Sequence, residues 1–214
     1  MLDNSKYEYI LGENQHLNYE FFIDNNNSGA TQYYYFYLEC NAVLRAEFFI
    51  MHADVELIIE CVLGSPGAHA DVVGVYGVYN NNITRIKTVQ HHKAAHTRST
   101  VVMRGIVCDS AQAYYHGTIR VEKEARGSDA SQENKNMVMS NSACVVSEPQ
   151  LEVLTNDVRC FHGSATSRCD DEQLFYCAAR GIDEKKAQQL LLHAFFSGLL
   201  VSENLKEKIV ELIE

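Results

Sequence analysis

Two short stretches of this 214-residue chain carry side chains able to do chemistry. The first is Gln90-His91-His92-Lys93-Ala94-Ala95-His96-Thr97, which sets three imidazoles within six residues. Imidazoles at such density can ligate a transition metal. On a strand, however, His91 and His92 face opposite sides, so at most a subset converges. On the segment alone, a polar turn with hydrogen-bonded or solvated histidines is the favoured reading. The second stretch is Val158-Arg159-Cys160-Phe161-His162-Gly163. On a strand Cys160 and His162 point the same way, and a thiolate beside an imidazole suits iron, zinc or an iron–sulfur cluster. Taken alone, the spacing is weak and favours two core side chains.

Other enzyme signatures do not occur. The chain has no GxxxxGK[ST] phosphate loop, no GxGxxG after a strand, no GxSxG elbow, no HExxH helix and no CxxC pair. A formal charge of −10 argues against nucleic acid and against an anionic membrane surface. No run of about 18 apolar residues is present to span a bilayer. The first residues show no basic-then-apolar secretory pattern, so the seven cysteines read as reduced thiols and the location as cytoplasmic.

The elements that must position those side chains are mostly strands. Apolar residues alternate at Leu17, Tyr19, Phe21 and Ile23; at Ala42, Leu44, Ala46, Phe48 and Ile50; and at Val55, Leu57, Ile59, Cys61 and Leu63. The same period recurs at Val73, Val75, Gly77 and Tyr79, and at Tyr115, Gly117, Ile119 and Val121. Short polar corners join them: Asn25 to Gly29, Ser65-Pro66-Gly67, and Asn80 to Asn82. Asn-Gly and Asp-Gly hairpin turns are absent. A sandwich, a barrel or a wound solenoid fits this pattern. No crisp repeat singles out the solenoid, and the sandwich is favoured on pattern alone.

Near residue 168 the period becomes helical. Asp170 with Gln173 reads as a capping box, and the helix closes on Arg180-Gly181. Asp183 caps a second helix with an apolar stripe at Ala187, Leu190, Leu191, Ala194, Phe195 and Gly198. Ser202 caps a third, with Leu205, Ile209, Leu212 and Ile213 on one face. The chain therefore divides into a β domain over 1–167 and a helical domain over 168–214.

Six ordered segments resemble one known family. The histidine stretch at 90–97 is similar to QHH-x-APHT. Gly117-Thr118-Ile119-Arg120-Val121 resembles G-x-I-x-V, and residues 128–136 resemble TDAYQTNRN. Pro149 to Val153 is similar to P-x-LEI, residues 157–163 to DVRCSHGA, and residues 171–182 to DEEQLFYLRSRGI. Together they identify the chain as a member of the SufB/SufD family, scaffolds of SUF iron–sulfur cluster assembly. Asn134 stands where the SufB branch carries a cysteine, and Gly163 where it carries a glutamate, so the resemblance is closest to SufD. Ala95 and Phe161 depart from the family's proline and serine, and Cys169 adds a thiol near the site. Residues 1–87 match none of these motifs, and the chain is shorter than typical SufD at its N-terminal side.

The resemblance implies a mainly β fold: a right-handed parallel β-helix with a small C-terminal α-helical domain. It implies a non-catalytic role, pairing with a SufB-like subunit (or a second copy) and docking the SufC ATPase. By that resemblance His162 and Cys160 would ligate a nascent, transient cluster at the partner interface, with none stably bound by the isolated chain. Gln173, Leu174, Phe175, Arg180, Gly181 and Ile182 would face SufC. Two other readings remain: a self-sufficient metal protein using His91, His92, His96, Cys160 and Cys169, and a β-helix enzyme acting on polysaccharide.

Overall fold

The computed structural model describes residues 5–24, 29–51, 54–169, 171–199 and 201–213. The Asp170 cap and the Asn25–Ser28 corner lie outside the described residues. Twelve strands precede three helices. The odd strands are β1 (Ser5–Leu11), β3 (Ala30–Leu38), β5 (Val55–Leu63), β7 (Ile83–His92), β9 (Gln112–Val121) and β11 (Cys144–Val153). The even ones are β2 (His16–Ile23), β4 (Val43–Met51), β6 (His69–Val78), β8 (Arg98–Val107), β10 (Ser128–Val138) and β12 (Val158–Arg168). Each set forms one six-stranded sheet in which every neighbour pair is parallel. Consecutive strands thus cross from one sheet to the other, and each pair completes one coil of a parallel β-helix. Two sheets do face each other, as in a sandwich. Their parallel order makes them a flattened solenoid.

The corner chemistry explains why no repeat shows in the sequence. One column of corners is turned by left-handed residues: Asn14, Asn41, Gly67, His96 and Gly127, with φ between 54° and 77°. Their amides bond to the next coil, Asn14 N to Cys40 O and His96 N to Arg126 O among them. Asn, His and Gly all tolerate this backbone, so no single residue type marks the column. Coil length also varies, from a register step of 25 residues (Ala30 to Val55) to 32 (Gln112 to Cys144).

Alternation fills the space between the sheets. Phe36, Leu44, Phe48, Ile50, Leu57, Ile59 and Met103 are fully buried there. Val73, Val75 and Tyr79 belong instead to the outer face of the even sheet, while Val72 and Tyr76 face the lumen. Both faces of β6 are apolar because the helices cover its outside, which hides its true inward register from a period-two reading.

Helices α1 (Asp171–Ala179), α2 (Glu184–Phe196) and α3 (Glu203–Ile213) follow. Asp183 accepts from Lys186 N, and Ser202 Oγ from Leu205 N, as side-chain caps. Gly181, at φ 81°, ends α1, with Ile182 N returning to Cys177 O. The buried stripe of α2 is Ala187, Leu192 and Phe196, flanked by Phe195; Leu190 points outward, 52 % exposed. The sequence-based stripe is thus offset around the helix, because the covered face is chosen by Phe49, Val75 and Ile106 of the sheet. On α3, Leu205, Ile209, Leu212 and Ile213 are all buried.

Candidate functional site

The three imidazoles of the first cluster part company. His91 faces out from β7, its Nε2 2.9 Å from Glu122 Oε1. His92 faces in and has no exposed surface. Its Nδ1 lies 2.7 Å from Thr97 Oγ1 and its Nε2 2.7 Å from Ser99 Oγ, so both nitrogens are satisfied by hydroxyls. Burial, followed by the neighbouring His91, pulls its pKa down to about 4. His96 occupies one of the left-handed corners, its ring against Gly127. These residues build the coil, each in a different surrounding. Among the described residues no group of three or more histidines, cysteines or carboxylates is arranged to hold a metal ion.

Cys160 and His162 sit on β12, the last strand of the even sheet, whose outer edge has no strand beside it among the described elements. They share a face, as the period of two requires. Cys160 packs against Ile119, Val121, Ala125 and Ala130 at the end of the lumen. Burial, then the charge of Asp129, raises its thiol pKa, which disfavours the thiolate a metal needs. His162 is half-buried. Its Nδ1 is enclosed without a hydrogen-bond partner, so the ring's accessible edge lies on the Nε2 side. Of the two, His162 is the better placed donor: its ring has an accessible edge, whereas the Cys160 thiol must lose a proton against a raised pKa before it can bind. One imidazole and one protonated thiol do not close a metal site. They leave open positions at the strand edge for ligands from elsewhere.

Cys169 stands just past the other end of β12, beside Met137, Glu172, Gln173 and Leu191. At about 3.3 Å per residue it lies roughly 23 Å along the strand from His162. The sequence reading put this thiol near the site; the strand's extended rise carries it away.

Sequence reasoning missed the polar interior that leads to this end. Thr97 Oγ1 lies 2.8 Å from Ser128 Oγ, and Ser99 Oγ donates to Gln90 Oε1 at 2.5 Å, both joined to His92. One coil end further, Asn134 Nδ2 donates to the Tyr76 hydroxyl at 3.0 Å and Asn136 Nδ2 to Asn134 Oδ1 at 2.7 Å. Ser147 donates to Asn134 Oδ1 and Ser164 to Ser147, each at 2.8 Å. The signal was there: Ser128, Gln132, Asn134 and Asn136 alternate in β10, but a search for apolar period passes over an amide-lined face.

The helices offer a second surface. Phe175 and Tyr176 on α1 are 76 % and 60 % exposed, and Arg180 lies over the Tyr176 ring, 5.0 Å from its centroid. Leu174 is half-buried, and Gln173, Arg180 and Gly181 are exposed. Neighbouring residues on a helix cannot both turn inward, and here Phe175 is the one left outside.

The profile of the family described as SUF system FeS cluster assembly, SufBD core domain, matches residues 2–195. The chain is 35% identical over 133 residues to the iron–sulfur cluster assembly protein SufD of Escherichia coli, covering 61% of this chain and 31% of that protein. It is 30% identical over 193 residues to an iron–sulfur cluster assembly SufBD family protein of Mycobacterium leprae, covering 81% and 49%. A SufBD family protein of Mycobacterium bovis is 28% identical over 186 residues, covering 81% and 47%. The chain thus spans a third to a half of the length of these curated relatives.

Proposed function

Since this chain belongs to the SufBD core family of the SUF iron–sulfur cluster assembly system, we propose that it is a SufD-like scaffold subunit. It pairs end to end with a SufB-like subunit through β11 and β12, and it docks the SufC ATPase through α1. The single observation that carries this reading is a half-buried imidazole, His162, on the terminal strand of an open coil. The exposed residues Leu151, Val153, Leu154 and Phe161 gather on the same two strands and the bend after β11, apolar surface suited to a protein seam.

The cluster is cargo in this account. A partner strand added to β12 brings thiolate and carboxylate donors toward the Nε2 side of His162, completing a ligand set that neither chain holds alone. This chain supplies a rigid frame and one neutral nitrogen donor. Cys160, kept protonated, is a secondary donor that must release a proton on binding iron. ATP chemistry belongs to SufC, in keeping with a subunit that is not itself catalytic. The helical segment from 168 onward serves as the docking unit.

Co-expression with a SufB-like subunit and SufC tests the assembly. A ternary complex is expected, and Phe175→Asp should release SufC while keeping the SufB-like subunit. Failure of both partners to bind would remove the proposal.

A further inference from the structure

We infer that Gln132 is a positioning residue for His162. Its carboxamide oxygen accepts the Nδ1–H proton of the imidazole, directly or through one water, which leaves the Nε2 lone pair free for metal. The inference rests on the reading of His162 as the donor.

Three observations converge on this pair. Gln132 has no exposed surface, and both its Nε2 and its Oε1 lack a hydrogen-bond partner; among the described residues no other side chain has both amide atoms in that state. The enclosed nitrogen of His162, Nδ1, is in the same condition. The two residues are register partners on β10 and β12, with side chains on the same face and backbones about 4.8 Å apart. A buried polar atom left unmatched is costly, so these neighbours are the natural partners for one another.

Gly117 makes the position available. It lies on β9 in the opposite sheet, and a Cβ built there would stand 2.2 Å from Gln132 Nε2 and 2.6 Å from Oε1. The bare glycine leaves the space in which the amide rests beneath His162. Gly117, Gln132 and His162 thus meet from three separate segments, though they are 15 and 30 positions apart in sequence.

The chemistry follows from imidazole's two nitrogens. A neutral ring has one donor and one acceptor, and a metal can take only the acceptor. Whatever holds the N–H fixes which nitrogen that is. An amide oxygen at Nδ1 selects the tautomer whose open nitrogen, Nε2, faces the partner seam.

Long-range proton–nitrogen NMR of the full chain, at about pH 8 where imidazoles are neutral, reads the tautomer of His162. Its signals are assigned by their loss in His162→Ala. The Nδ1–H form should dominate in the wild type and in Gln132→Glu, whose carboxyl oxygen still accepts. Gln132→Leu should shift the population to Nε2–H, and so should Gly117→Ala, which keeps the amide but displaces it. A tautomer unchanged in Gln132→Leu, or already Nε2–H in the wild type, would overturn the inference. The readout needs no cluster: if His162→Ala leaves cluster formation intact while these shifts appear, the positioning stands and the functional reading falls.

Discussion

A proton forced onto His92 has no water to solvate it and brings a second charge toward His91. That is why its pKa lies near 4 in the folded chain against about 6.5 unfolded. Because the folded value is the lower one, the unfolded chain binds this proton first as pH falls. Stability is complete above about pH 6.5, drains as pH falls toward 4, and levels below that, amounting to about 3 kcal/mol. Urea unfolding at about pH 7 and pH 4.5 checks it. The wild type should lose about 2–3 kcal/mol more over that interval than His92→Gln, which has no titrating ring. Equal losses would mean that His92 is not the sensor. At this scale the sequence told half the story. The types and order of Cys160, His162 and the histidine cluster were plain. The inward turn of His92 and the corner role of His96 depend on which strand face the coil closes over, and the partners that fix it, Thr97 and Ser99 for His92 and Gly127 for His96, lie beyond the strand that carries the motif.

Elements were legible where one face is apolar and the other polar. β5 declares itself, with Glu56 and Glu60 on its outer face, as does α3, whose four buried residues fall on one stripe. The reading failed where that contrast is missing. β10 turns serine, glutamine and asparagine inward, so its lumen face looks like surface. β6 is apolar on both sides because helices cover the outside. The corners were hidden for a third reason: they need a positive φ, and Asn, His and Gly supply it interchangeably. This gives a prediction for His96, whose φ is 56°. His96→Gly should leave stability within about 1 kcal/mol of the wild type, whereas His96→Val, β-branched in a left-handed corner, should cost roughly 1–3 kcal/mol. Thermal unfolding of both variants decides it. Similar losses in both would show that the ring, not the backbone, is what His96 contributes.

Across the whole molecule, helices and solenoid are tied by charge at two helix ends. Arg104 of β8 donates to Phe195 O and, at 3.1 Å, to Ser197 O at the C-terminus of α2, where the carbonyls carry partial negative charge. Glu47 of β4, only 5% exposed, accepts from Ser202 N through both oxygens at 3.0 Å, at the start of α3. The sheet therefore caps α2 and α3 with complementary charges, and α1 is the helix that the proposed assembly gives to SufC. Arg104→Leu should free the α2 end at a cost of about 2 kcal/mol. Amide exchange should then speed up in residues 190–199, with β8 to β10 staying protected. Uniform loss of protection would mean that the arginine serves the sheet itself.

The central claim is that this coil presents His162 to a partner and builds a cluster with it. Anaerobic reconstitution with iron and sulfide, followed by visible absorption, tests it in the purified complex with the SufB-like subunit and SufC. The wild-type complex should gain cluster absorbance, and His162→Ala, with its subunits still assembled, should gain at most a small fraction of it. An undiminished yield in His162→Ala would contradict the account.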